Sequence, residues 1–218
     1  MPGAQKQVLL NKITEVSDKF LNLQLISGHL AADEESKIAL SSNSQDEIDK
    51  IKECWAFNFP CVLLVNGGKS YWTRTAKAVY QVLYRDILIN VRRSMAASLV
   101  EIARLIDLKD SDLDENEDRT FMVEVANHFL ADAAEIKLNL LPKLCDFVAL
   151  FPAENQQVLL NTMIRERLES ETDIKTSAIR VKLLVQVFET FDVAQLVDAN
   201  FHQFLYDCIK SERVSPNF

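Results

Sequence analysis

From Val91 to Leu105 the chain reads VRRSMAASLVEIARL, and its apolar residues Val91, Met95, Ala96, Leu99 and Ala103 recur at the three- and four-residue steps of a one-sided helix. The same frame returns at three other places. It gives Ile51, Trp55, Ala56, Phe59 and Leu63; then Ile136, Leu140, Leu141, Leu144 and Val148; then Ile179, Leu183, Leu184, Val187 and Phe191. Every position is apolar in a chain that is only 48% hydrophobic, and successive starts lie 40 to 45 residues apart.

A spacing of roughly 40 to 47 residues filled by paired helices is the signature of HEAT or armadillo repeats. The pattern predicts an all-α fold: an α-solenoid of about four HEAT-like helix pairs plus a terminal helix, with second helices near 47–66, 89–106, 134–151 and 174–191. The residue after each start is basic, namely Lys52, Arg92, Lys137 and Arg180. A cation in the first turn of a helix opposes the helix dipole, so something must compensate it. Asp86, Asp132 and Asp173 stand a few residues upstream of three of the cations. Acids in the tight turns, or on the neighbouring repeat, would make a ladder of structural pairs; the competing reading gives these residues to a ligand.

The segments between the frames supply the other helices. Residues 1–31 read as an N-terminal helix with Val8, Leu9, Ile13, Val16, Phe20 and Leu23 on one face, the outer member of a pair. Residues 32–46 are rich in Ser, Asp and Glu and read as a surface loop, with Ser44 or Asp46 capping the helix that follows; 47–218 carry the repeats. Outer helices are predicted over 70–85, 120–131, 154–170 and 193–209. The acidic run DLKDSDLDENED at 107–118 reads as a solvated loop; it contains no glycine, which a calcium loop requires at its sixth place. Pro142 lies six residues into a second helix and predicts a bend. The helix over 193–209 exposes Phe201, Phe204 and Leu205 without a partner after it, from which we expect a longer solenoid or a second chain at that end.

Composition narrows the function. The net charge is −8, which does not suit nucleic acid, and no stretch approaches the 18 apolar residues of a membrane span. Gly 4 and Pro 5 in 218 residues suit helices. The four cysteines, Cys54, Cys61, Cys145 and Cys208, read as reduced core residues of an intracellular protein. His29, His128 and His202 fall in no metal-ligand spacing, and no nucleophile motif or catalytic constellation is present, so no enzyme activity, metal or cofactor is expected. The string NGGKS at 66–70 after an apolar run looks like the end of a phosphate loop, but Leu63 stands where its first glycine belongs. Nucleotide binding stays as a remote alternative beside a helix ended by Gly67 and Gly68.

At CWAFNFPCVLLVNGGKSYW (54–72), VRRSMAASLVEIARLI (91–106), FLADAAEIKLNLLPKLCDFVALF (129–151) and RVKLLVQVFETF (180–191), the chain resembles the HEAT-repeat regulatory subunits of serine/threonine protein phosphatase 4, especially regulatory subunit one. The resemblance runs from about residue 48 onward; the acidic 107–118 stretch is longer than in the family, whose members are much longer chains. It implies a non-catalytic scaffold in the cytoplasm, and in the nucleus as well, that binds the phosphatase catalytic subunit and presents it to substrates. Other solenoid or substrate proteins are further partners on this reading. In related scaffolds the turns within repeats grip the catalytic subunit. Here that would place contacts at Asp86, Arg92, Arg93, Asp132, Lys137 and Arg180. A HEAT adaptor for a transport or chromosomal complex is the alternative.

Overall fold

The computed structural model describes residues 42–109, 115–170, 174–198 and 201–214, and all regular structure among them is helical. The chain divides into two compact units, one up to Ile106 and one from Asp107 onward.

The first unit contains α1 (Ser42–Val65), α2 (Lys69–Tyr71), a π-helical stretch Trp72–Ala76, α3 (Lys77–Leu83) and α4 (Ile89–Leu105). Residues 69–83 thus form one continuous helix that turns back through a short link into α4. α1 packs along α4 as the principal helix contact of this unit. The frame read from sequence is the face that makes the core. Trp55, Ala56, Phe59 and Leu63 of α1 are buried, as are Val91, Met95, Ala96, Leu99 and Ala103 of α4, while Ile51 is half-buried. Between them lies an aromatic cluster: the Tyr80 ring centroid is 5.3 Å from that of Phe59, 5.5 Å from Trp72 and 6.1 Å from Tyr84. Such contacts add to the area that large rings remove from water.

α1 begins at Ser42, earlier than its apolar pattern suggests. Ser44 and Asp46 therefore lie inside the helix and are not its caps. Gln45 Nε2 donates to Asp49 Oδ1 at 2.9 Å, an i,i+4 bond that supports a polar turn with no core to rest on. The helix runs through Pro60 and ends in a Schellman motif: the Gly68 amide donates to the Leu63 carbonyl at 2.8 Å and the Gly67 amide to Leu64 at 3.4 Å. Gly67 and Gly68 have φ of 105° and 59°. A Cβ on Gly68 would stand 3.0 Å from the Leu105 carbonyl oxygen, so this position combines a left-handed backbone with close approach to the end of α4.

The second unit contains α5 (Glu115–Ala131), α6 (Ala134–Leu140), a 3₁₀ turn Leu141–Lys143, α7 (Leu144–Val148), α8 (Ala153–Leu159), a π-helical stretch Leu160–Arg165, α9 (Glu166–Ser170), α10 (Ile174–Thr190), α11 (Val193–Asp198) and α12 (His202–Val214). α5 packs on α6, the 3₁₀ turn and α7 pack on α10, and α8 packs on α11. Ile136, Leu140, Leu141, Leu144 and Val148 are buried, with Leu183, Leu184 and Val187 of α10 and Phe191 just after it; the Ile179 side chain lies outside the described residues.

Two boundaries differ from the sequence reading, and the interruption at Pro142 falls where the sequence places it. α5 starts at Glu115, so the end of the acidic 107–118 stretch is helical; Glu115, Glu117 and Asp118 sit in a first turn, where negative charge complements the dipole. Pro142 converts its turn to 3₁₀, the expected bend, and Gln186 Nε2 of α10 donates to the Pro142 carbonyl at 2.6 Å. The helix expected over 193–209 is two helices. The Phe201 amide reaches back to the Leu196 carbonyl at 2.8 Å, a five-residue closure that ends a helix, and this seats Phe201 in full burial.

Candidate functional site

Five of the residues singled out from sequence, Asp86, Arg92, Arg93, Asp132 and Lys137, lie at or just after turns that join two helices, and Arg180 lies within α10. In the first unit that turn is 84–88. The Asp86 amide donates to the Leu83 carbonyl at 3.2 Å, which closes the helix before it. The Asp86 carboxylate, itself buried, then serves two neighbours at once. Oδ1 accepts the Leu88 amide at 2.9 Å, and Oδ2 is 2.9 Å from Lys52 Nζ on α1. The Asp86 and Lys52 side chains are 4% and 15% exposed, so both ends of the pair are withdrawn from water. A pair held this way is a staple between α1 and the turn, strongly felt if one partner is removed.

Arg92 occupies the unfavourable first turn of α4. Its Nη1 donates backwards to the carbonyls of Asp86 at 2.7 Å and Ile87 at 3.0 Å. Carbonyl dipoles of the turn thereby compensate the cation. Arg93 is exposed and its Nη2 donates to Asn90 Oδ1 at 3.0 Å, while Asn90 Nδ2 donates to Glu53 Oε1 at 2.9 Å. Asp86, Arg92 and Arg93 therefore converge with Lys52 and Glu53 on one end of the first unit.

The corresponding turn of the second unit is 131–137. Asp132 Oδ1 accepts the Ala133 amide at 2.7 Å, and the Ile136 and Lys137 amides both donate to the Ala133 carbonyl, at 2.9 and 3.1 Å. Asp132 and Lys137 are half-buried. Residues 171–173, where the sequence predicts a third such turn, and the side chain of Arg180 lie outside the described residues, so Arg180 is placed only on the backbone of α10, past its first turn.

Sequence reasoning did not find Gln156. It is buried, and its Nε2 donates to the Phe151 carbonyl at 2.7 Å and to Ala149 at 3.3 Å, while its Oε1 accepts from Gln195 Nε2 at 3.0 Å. Gln195 is itself half of a capping box: its amide donates to Asp192 Oδ1 at 2.8 Å and its Oε1 accepts the Asp192 amide at 3.0 Å. The D-x-x-Q spacing carried the signal for the box. Nothing local marks Gln156, whose role exists only once 149–151 and α11 are beside it.

The run Phe59–Val65, which a phosphate loop would need as a strand, is helical, and the amides of Gly67 and Gly68 are used within the helix cap. Cys145 and Cys208 are buried as expected, but Cys54 and Cys61 are exposed; they lie off the Trp55, Phe59 and Leu63 face of α1, where apolar character does not mean core position. Burial pushes the Cys145 thiol well above its ordinary range, with the neighbouring Asp146 adding to the shift, so this sulfur is a packing group and not a nucleophile. Among the described residues no cluster of three His, Cys, Asp or Glu side chains could hold a metal ion, and no helix is long and apolar enough to cross a membrane. Comparison with protein-family models, with curated proteins and with solved structures yields no match.

Proposed function

We propose that this chain is a non-catalytic regulatory and scaffolding subunit of a protein phosphatase 4 type complex, built as an α-solenoid of HEAT-like helix pairs. The observation that carries the reading is the coincidence of frame and core: of the residues that recur every 40 to 45 positions, all are buried except Ile51, which is half-buried, and Ile179, whose side chain lies outside the described residues. A repeating buried face leaves the turns as repeated outward features, and the turn residues are where the family resemblance places contacts. Asp86 and Arg92 are committed to their own turn and support its shape. Arg93 and Lys137 are the better candidates for touching a catalytic subunit.

Affinity capture of the tagged full chain from cell extract, read by mass spectrometry, tests this. A phosphatase 4 catalytic subunit recovered in near-equal amount, lost with Leu140→Asp and with Arg93→Glu plus Lys137→Glu, is the expected result. Retention by the charge-reversed variant removes these two residues from the interface. Absence of any phosphatase from the folded wild-type chain removes the reading itself.

The second reading, an adaptor for a transport or chromosomal complex, is favoured by one feature. Val181, Val185 and Phe188 form an i, i+4, i+7 stripe on α10 and are 45%, 50% and 52% exposed. Such a stripe offers an apolar docking line with no chemistry particular to a phosphatase.

A further inference from the structure

α10 buries Leu183, Leu184 and Val187 along one face, yet its apolar surface does not end there. At about 100° per residue, Val181, Val185 and Phe188 form a stripe beside that face, and each is about half exposed. Lys182 and Glu189 stand on the far edge of the stripe, away from the core. Both are exposed, and neither holds an ion pair among the described residues. They lie seven residues apart, Lys182 three before Val185 and Glu189 four after it. The stripe thus has a near-central valine, apolar residues to both sides, a cation beyond one end and an anion beyond the other.

We propose that a second copy of this chain docks on the Val181, Val185 and Phe188 stripe, its α10 running antiparallel to the first. The charges argue for both the occupant and its direction. A two-fold axis near Val185 sets Lys182 of each copy beside Glu189 of the other, so the surface is complementary to itself. A parallel copy would instead set Lys182 by Lys182 and Glu189 by Glu189, and like charges across an interface repel. The apolar residues obey the same symmetry. Val185 meets Val185, and Phe188 of each copy falls between Val181 and Val185 of the other. Three residues a side make a small contact, so the dimer is expected to be of micromolar affinity or weaker. This inference does not depend on the phosphatase reading, and it gives the apolar line of α10 an occupant that a transport or chromosomal adaptor does not require.

Sedimentation equilibrium of the full chain, from micromolar to near-millimolar concentration, tests this. The expected result is a weight-average mass that rises from the 24.8 kDa of the monomer towards twice that value. Lys182→Glu alone and Glu189→Lys alone each weaken the dimer by about tenfold, since each opposes like charges at two places. Exchanging the two, Lys182→Glu with Glu189→Lys, restores the affinity to within about threefold, because the antiparallel pairs re-form with their signs reversed. Val185→Ser with Phe188→Ser holds the chain at monomer mass while circular dichroism keeps its helical signal. Should that pair unsettle the helix, the charge variants, both at exposed positions, carry the test alone. Three results overturn the proposal. A monomer at every concentration leaves the stripe to a different protein. A dimer that survives Val185→Ser with Phe188→Ser has its interface elsewhere. Single charge reversals that have no effect, or that the exchange does not rescue, remove the antiparallel pairing.

Discussion

Tyr80 is enclosed by Phe59, Trp72 and Tyr84, and burial, with Tyr84 adding to it, pushes its phenol far above the ordinary value of 10.0. The neutral form is the folded form. Its contribution to stability is full below about pH 10, where the unfolded phenol is also neutral, and is lost as pH rises further because only the unfolded chain ionises. Urea denaturation between pH 9 and 11 should show stability falling from pH 10 to 11 by about 1 kcal/mol more in the native chain than in Tyr80→Phe. Gly68→Ala should cost about 1–2 kcal/mol, from the left-handed backbone and the Leu105 carbonyl 3.0 Å from the new methyl. Asp86→Ala should cost about 3 kcal/mol by leaving Lys52 without its carboxylate. Asp86→Leu with Lys52→Met should recover much of that loss in a double-mutant cycle. At this scale the sequence was readable where a residue's role follows from spacing. Leu99 and Phe59 are core because of the frame; Asp86 does pair with one of the marked cations, but that cation is Lys52, in the interior of α1, while the first-turn cation Arg92 is met by the carbonyls of Asp86 and Ile87. Cys54, Cys61 and Gln156 were unreadable for the converse reason, since one apolar residue on the wrong face and one polar residue in the core are decided by neighbours far along the chain.

The second helices were legible because each keeps one phase from end to end, apart from the bend at Pro142. Two of the remaining helical stretches, 69–83 and 153–170, contain a π-helical segment, which α1, α4 and α10 do not. Trp72, Ala76, Tyr80 and Tyr84 are all buried, as are Gln156, Leu160, Ile164 and Leu168. Strict four-residue steps drift by about 40° each in an ideal α-helix, yet Val91, Met95, Leu99 and Ala103 take three such steps in α4 and all stay buried, so the core tolerates the drift over this length. The wider turns at Trp72–Ala76 and Leu160–Arg165 absorb that drift. The same four-step spacing runs through α1 and α4 without a π segment, so spacing alone does not mark one. The bend at Pro142 is readable, but its compensation is not: Gln186 is 44 residues away. Gln186→Leu should orphan the Pro142 carbonyl and cost about 1–2 kcal/mol in thermal unfolding.

Both tryptophans of the chain, Trp55 and Trp72, are buried in the first unit, whereas helices populate both units. Each unit has its own apolar core, so damage to one need not be seen by the other. Leu140→Asp, which places a charge in the second core, should lower the far-ultraviolet helical signal while the tryptophan emission maximum stays at its native wavelength. A red shift as large as that of the unfolded chain would show instead that the two cores stand or fall together. The π segments have a last consequence, for tolerance of altered length. A π turn holds one residue more than the α turn it replaces, so deleting a residue such as Thr73 or Asn161 lets the helix close as ordinary α with both flanks still facing their cores. The same deletion at Ala97 in α4 would swing half of its buried stripe by about 100° into solvent.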